Sequence, residues 1–100
     1  MGIQVRGDLE LLQKKRNEID LLDGELLRLL NERARIVLDL AAVKKSCNLP
    51  AYDGQREQEV LDRICRENQG PLGPENVVTV FRAIIHEFRR LGEAAMRQLK

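Results

Sequence analysis

The sequence predicts an all-α chain of three helices, long-short-long, shared between two copies as a homodimer. Three observations carry this. From Asp8 to about Lys45, some 38 residues without a proline, Leu9, Leu12, Ile19, Leu26, Leu30, Val37 and Leu40 recur at threes, fours and sevens, with good helix formers between them. Val77, Phe81, Ile84, Phe88, Leu91 and Ala95 follow the spacing 4-3-4-3-4, the mark of a second long amphipathic helix. No strand-like alternation persists, and aromatic residues are only 3% of the chain. The first helix alone would be roughly 57 Å long, whereas a compact chain of this size has a radius of gyration of about 13 Å. A single copy cannot bury both ends of such a rod, and a second copy can.

Residues 1–7 carry two glycines and read as a loose lead-in, with Asp8 as N-cap of the first helix, about 8–46. Sevens from Leu12 give Leu12, Ile19, Leu26, Arg33 and Leu40. Sevens from Leu9 give Leu9, Arg16, Asp23, Leu30, Val37 and Lys44. These are the columns of a heptad seam interrupted by charge. Gly24 is a mild flaw of about 1 kcal/mol against alanine. Asn48-Leu49-Pro50 ends the helix. Asp53 is the natural N-cap of a second helix, about 53–68, whose apolar stripe is Val60, Leu61 and Ile64. Glu57 extends that stripe by a turn and should point inward, while Gln55, Gln58 and Asp62 face water. Gln69-Gly70-Pro71-Leu72-Gly73 is a turn by composition, and Pro74 opens the third helix, about 74–98. One domain accounts for residues 1–100.

The 17 basic and 16 acidic side chains are interspersed and leave a net charge of +1, which argues against a nucleic-acid or membrane-surface protein. At 43% hydrophobic and 33% charged, the chain is too apolar for disorder. Cys47, Cys65 and the single His86 lack metal-ligand spacing, so no metal is expected and the cysteines read as free thiols. With no apolar run near 18 residues and no signal-like N-terminus, a cytoplasmic location is expected.

The informative residues are the cations in the seam. Arg33 and Lys44 are eleven residues apart, nearly three whole turns, so they share a face with α-carbons about 16.5 Å apart. Long side chains reaching inward leave a gap for a small anion. Arg16 lies about 25 Å from Arg33 along the rod, too far to join them within one chain but within reach from an antiparallel partner. The structural alternative is interface salt bridges with Asp23, Glu32 or Glu57, or snorkelling rim residues. Uncompensated cations in a core are costly, and a substrate with two carboxylates would answer them. Spacing alone leads to an anion site between helices.

Ile19-x-x-Leu22-Asp23-x-x-Leu26-Leu27-x-Leu29-Leu30-x-Glu32-Arg33, then Lys44, then Pro50-x-x-Asp53-x-x-Arg56-Glu57, resembles the all-helical, type II chorismate mutases over nearly the whole chain. The resemblance implies an intertwined helical homodimer that converts chorismate to prephenate by a Claisen rearrangement, without a cofactor. It implies that Arg16 reaches a substrate carboxylate from the partner chain and Arg33 binds one from its own. Lys44 would donate to the ether oxygen, Asp53 and Glu57 would hold the ring hydroxyl region, and Arg56 would support the carboxylate side. In the third helix an ungapped match places Phe88 and Gly92 where the family usually offers a small hydroxyl residue and a Gln or Glu. Glu93 would reach in if the helix shifted by one residue. Two alternatives follow: an isochorismate-pyruvate lyase-like enzyme, or a catalytically silent helical dimer that regulates a partner enzyme, for which Phe88 and Gly92 are the support.

Overall fold

The structure, a computed structural model, describes residues 2–99, with side chains from Val5 onward. It contains three helices and, among the described residues, no strand: α1 (Gly2–Ser46), α2 (Gly54–Glu67) and α3 (Pro74–Gln98). None is long and apolar enough to cross a membrane. The chain divides between Arg33 and Ala34 into two units.

The described residues of the first unit, 2–33, are all helical. Asp8 is not its N-cap, because α1 already runs from Gly2; of the expected lead-in, Met1 lies outside the described residues. Residues 2–7 include no proline, and a helix that has nucleated extends at the cost of one residue per new hydrogen bond. Gly2 and Gly7 therefore each weaken the turn by about 1 kcal/mol without stopping it. Pairs one turn apart support the exposed surface: Lys15 with Glu18 at 3.1 Å and Arg28 with Glu32 at 2.8 Å, each worth about 0.2–0.5 kcal/mol. Apart from the half-buried Leu30, the apolar seam finds no cover in this unit. Leu9, Ile19 and Leu26 are exposed, as are Leu21 at 75% and Leu22 at 63%.

The second unit holds the core. Ala41 of α1, Val60 of α2, and Val77 and Ile85 of α3 are its buried hydrophobic residues, and α2 packs on α3. The α2 stripe is as read: Val60 is buried and Leu61 and Ile64 half-buried, while Gln55, Gln58 and Asp62 are exposed. On α3 the buried line runs through Val77, Ile85 and Gly92, with Phe81, Ile84, Phe88, Leu91 and Ala95 half-buried around it. The face is thus centred on 85 and 92 rather than on 84 and 91. Two adjacent isoleucines gave periodicity no means of choosing between them, and a glycine adds nothing to an apolar count. Between α2 and α3, Gly70 takes φ +76°, a conformation glycine adopts without a Cβ clash. Asn68 fastens this turn, its amide donating to the Leu72 carbonyl at 2.9 Å and its oxygen accepting from the Gly70 N–H at 3.0 Å.

Candidate active site

The site is built around the loop that leaves α1. Asn48 adopts φ +57°, and the Leu49 N–H donates to the Lys44 carbonyl at 2.8 Å while the Asn48 N–H donates to Lys45 at 3.2 Å. This 6→1 and 5→2 pair is a Schellman cap, with asparagine in the left-handed position more often filled by glycine. The cap turns the chain back on itself, so the Ala51 carbonyl comes to accept a hydrogen bond from Lys44 Nζ at 3.0 Å. Lys44 is held at both ends: its backbone carbonyl by Leu49 and its ammonium by Ala51. It is half-buried, and its charge sits in the last turn of α1, where the helix dipole favours cations.

Downstream, Asp53 is the N-cap of α2 that the sequence indicated, its carboxylate accepting from the Arg56 N–H at 3.1 Å. The Arg56 side chain is exposed and lies 3.9 Å from Glu59, a surface pair of little energetic weight. Glu57 points inward as expected. Its carboxylate lies 3.6 Å from Arg89 Nε on α3, with the Glu57 side chain 25% and the Arg89 side chain 29% exposed. The guanidinium of Arg89 also lies over the ring of Tyr52, 4.9 Å from its centroid, within cation–π range. Gly54 makes room for that ring: a Cβ there would stand 2.5 Å from Tyr52 Oη and 3.0 Å from Cζ. A continuous run of contacts therefore leads from Lys44 through Ala51 and Tyr52 to Arg89 and Glu57.

The second unit brings Lys44, Asp53 and Glu57 around this loop and helix start. Gly92 is buried, its side-chain direction closed by Val37 of α1, whose Cγ1 would be 3.6 Å from an added Cβ. Gly92 is thus a packing position, and Phe88 is half-buried beside it. In the first unit Arg16 is exposed and Arg33 half-buried. Of the carboxylates offered as salt-bridge partners for the seam cations, Glu32 pairs with Arg28 and Glu57 with Arg89.

Sequence reading missed Arg89 and Tyr52. The signal for Arg89 was present: it stands four residues after Ile85 and three before Gly92, on the edge of the true buried stripe. The same reasoning found Glu57 beside Val60. Centring α3 on Ile84 hid the counterpart. Tyr52 lies in a loop, where periodicity has nothing to say.

Fold and site together define an all-helical protein whose half-buried lysine and paired carboxylate are gathered at one interhelical loop. Comparison with known proteins narrows the class. A family model for chorismate mutase type II matches residues 15–93. The chain is 31% identical over 87 residues to a chorismate mutase of Methanocaldococcus jannaschii, covering 83% of this chain and 85% of that one. It is 40% identical over 81 residues to a bifunctional chorismate mutase/prephenate dehydratase of Aquifex aeolicus, which accounts for 77% of this chain but only 22% of that protein; the chain spans about a fifth of the length of the bifunctional relatives it matches. Among solved structures, chorismate mutase from Helicobacter pylori in complex with prephenate superposes with a TM-score of 0.83 at 35% identity, over 91% of this chain and 99% of that one. The chain belongs to the type II chorismate mutase family.

Proposed function

We propose that this chain rearranges chorismate to prephenate, working as a homodimer in the cytoplasm. Family membership supports the reaction, as does the likeness to a structure that holds prephenate. The observation that carries the reading is Lys44, half-buried with its ammonium anchored on the Ala51 carbonyl. An ammonium has three donors, and one is engaged, leaving two for a ligand.

The rearrangement is unimolecular, so it requires no nucleophile and no general base. It requires a flexible dianion compacted into its reactive conformer, and positive charge where the breaking carbon–oxygen bond releases electron density. On this reading Arg33 binds one carboxylate and Arg16 of the second copy binds the other. Arg56 supports the carboxylate side, Asp53 and Glu57 receive the ring hydroxyl region, and Lys44 donates to the ether oxygen. Phe88 and Gly92 contribute no donor, so Lys44 alone stabilises the negative charge developing on the ether oxygen. An acceleration of about 10⁶-fold needs roughly 8 kcal/mol, and one well-aimed donor supplies about 3–4 kcal/mol of such a sum. The exposed seam from Leu9 through Leu12 and Ile19 to Leu26 supports the dimer, since a second copy would cover it and would also deliver Arg16. The Methanocaldococcus jannaschii relative and the Helicobacter pylori structure are both chorismate mutases, and the lyase-like and silent-dimer alternatives gain no support from them.

The test is direct. Purified chain added to chorismate should consume it and yield prephenate, and Lys44→Ala should lower kcat/KM at least about 100-fold, the loss expected for one such donor, with its circular dichroism unchanged. A folded dimer that leaves chorismate intact would remove the reading.

A further inference from the structure

Arg89 is a partly buried cation of α3 held between two other side chains, its own side chain 29% exposed. It emerges from the edge of the buried stripe of α3, its guanidinium lies over Tyr52, and its Nε faces Glu57 at 3.6 Å. That separation is an ion pair rather than a hydrogen bond. A carboxylate has about four acceptor positions, so the pairing fixes where Glu57 points while leaving its lone pairs open. The stack on Tyr52 favours one placement of the Arg89 guanidinium in turn, and the ring as it lies would have to shift for any side chain at residue 54. Three side chains from the loop, α2 and α3 thereby define one carboxylate orientation. A lysine would bring the charge without the plane that stacks on the ring.

We propose that Arg89 is a positioning residue for the rearrangement, aiming the Glu57 carboxylate at the substrate's ring hydroxyl while Tyr52 holds Arg89 in place. The inference rests on the proposed role of Glu57 in receiving that hydroxyl. Because the hydroxyl does not react, its contact is of similar strength in the ground and transition states, and losing it raises KM while leaving kcat in place.

The experiment is steady-state kinetics on chorismate with Arg89→Met, Arg89→Lys, Tyr52→Leu and Tyr52→Phe. Arg89→Met should raise KM about tenfold, equivalent to about 1.4 kcal/mol, with kcat within about twofold of wild type. Arg89→Lys should recover part of the loss, and Tyr52→Phe, which keeps the ring, should match wild type. Tyr52→Leu should raise KM a few-fold, and combined with Arg89→Met should add nothing further, since both act through one contact. A folded Arg89→Met enzyme with KM within twofold of wild type overturns the role, as does a fall in kcat at constant KM. If Arg89→Met does not fold, the tyrosine pair decides: equal KM for Tyr52→Leu and Tyr52→Phe overturns the proposal, and a rise for leucine alone supports it. Absence of turnover in wild type removes the functional reading and this inference together, whereas an active wild type with an indifferent Arg89 removes only the inference.

Discussion

Asn48 shows how one backbone angle fixes a catalytic candidate. Its φ of +57° sets the direction in which the chain leaves α1, and with it the position of the carbonyl that holds Lys44. A β-branched residue there meets its own carbonyl oxygen at a cost of about 1–2 kcal/mol, while glycine meets nothing. Asn48→Val should therefore lower unfolding stability in urea by about 1–2 kcal/mol and reduce turnover, because the Lys44 seat moves. Asn48→Gly should be neutral or slightly stabilising. Equal stability for the two variants would show that the left-handed turn is not maintained in solution. Glu57 makes a second point at this scale. Its inward direction was legible one turn from Val60, but its partner was not, because ion pairing between helices depends on their mutual register, which no single segment encodes.

Among the elements, α3 departs furthest from its sequence reading. Its existence and both ends were legible, from Pro74 at the start and the long apolar periodicity. Its rotation was not, since the choice between Ile84 and Ile85 is made by what lies opposite. Val37 of α1 lies opposite Gly92 at a spacing that an alanine Cβ would fill at 3.6 Å, an ordinary van der Waals distance. Gly92→Ala should consequently raise stability by up to about 1 kcal/mol through helix propensity. Gly92→Leu, which overfills the space, should lower it by about 1–3 kcal/mol, and thermal denaturation of the two variants separates these outcomes. The C-terminal end of α1 is legible in the sequence, where Asn48 and Pro50 are strong signals. Its N-terminal end is not, because two glycines suggest a boundary that continued helix overrides.

For the molecule as a whole, the exposed leucines and isoleucines between Leu9 and Leu29 are the largest uncovered apolar surface of the described residues of α1's first unit. Burying a large aliphatic side chain is worth about 1.5–3 kcal/mol, and Leu9, Ile19, Leu22 and Leu26 all await cover. We expect the chain to sediment at twice its own mass. Leu26→Glu should shift the equilibrium toward single chains and take activity with it, in proportion to the dimer that remains. A wild-type chain that stays single at micromolar concentration, yet turns over chorismate, would refute the shared site. The heptad columns made the stripe itself visible in the sequence, and the structure leaves Leu9, Leu12, Ile19 and Leu26 of it exposed.

The neutral partner of Lys44 matters for affinity. The Ala51 carbonyl is a dipole without net charge, so it steers the ammonium and leaves its positive monopole intact. Had a carboxylate stood there, the ammonium would have been neutralised within the chain, and an incoming dianion would have had to dismantle a pair before being held. As built, the field of this lysine is still uncancelled when the guest arrives, and attraction at long range falls with added salt. Ionic strength should thus weaken capture of chorismate more than it slows the bond rearrangement that follows.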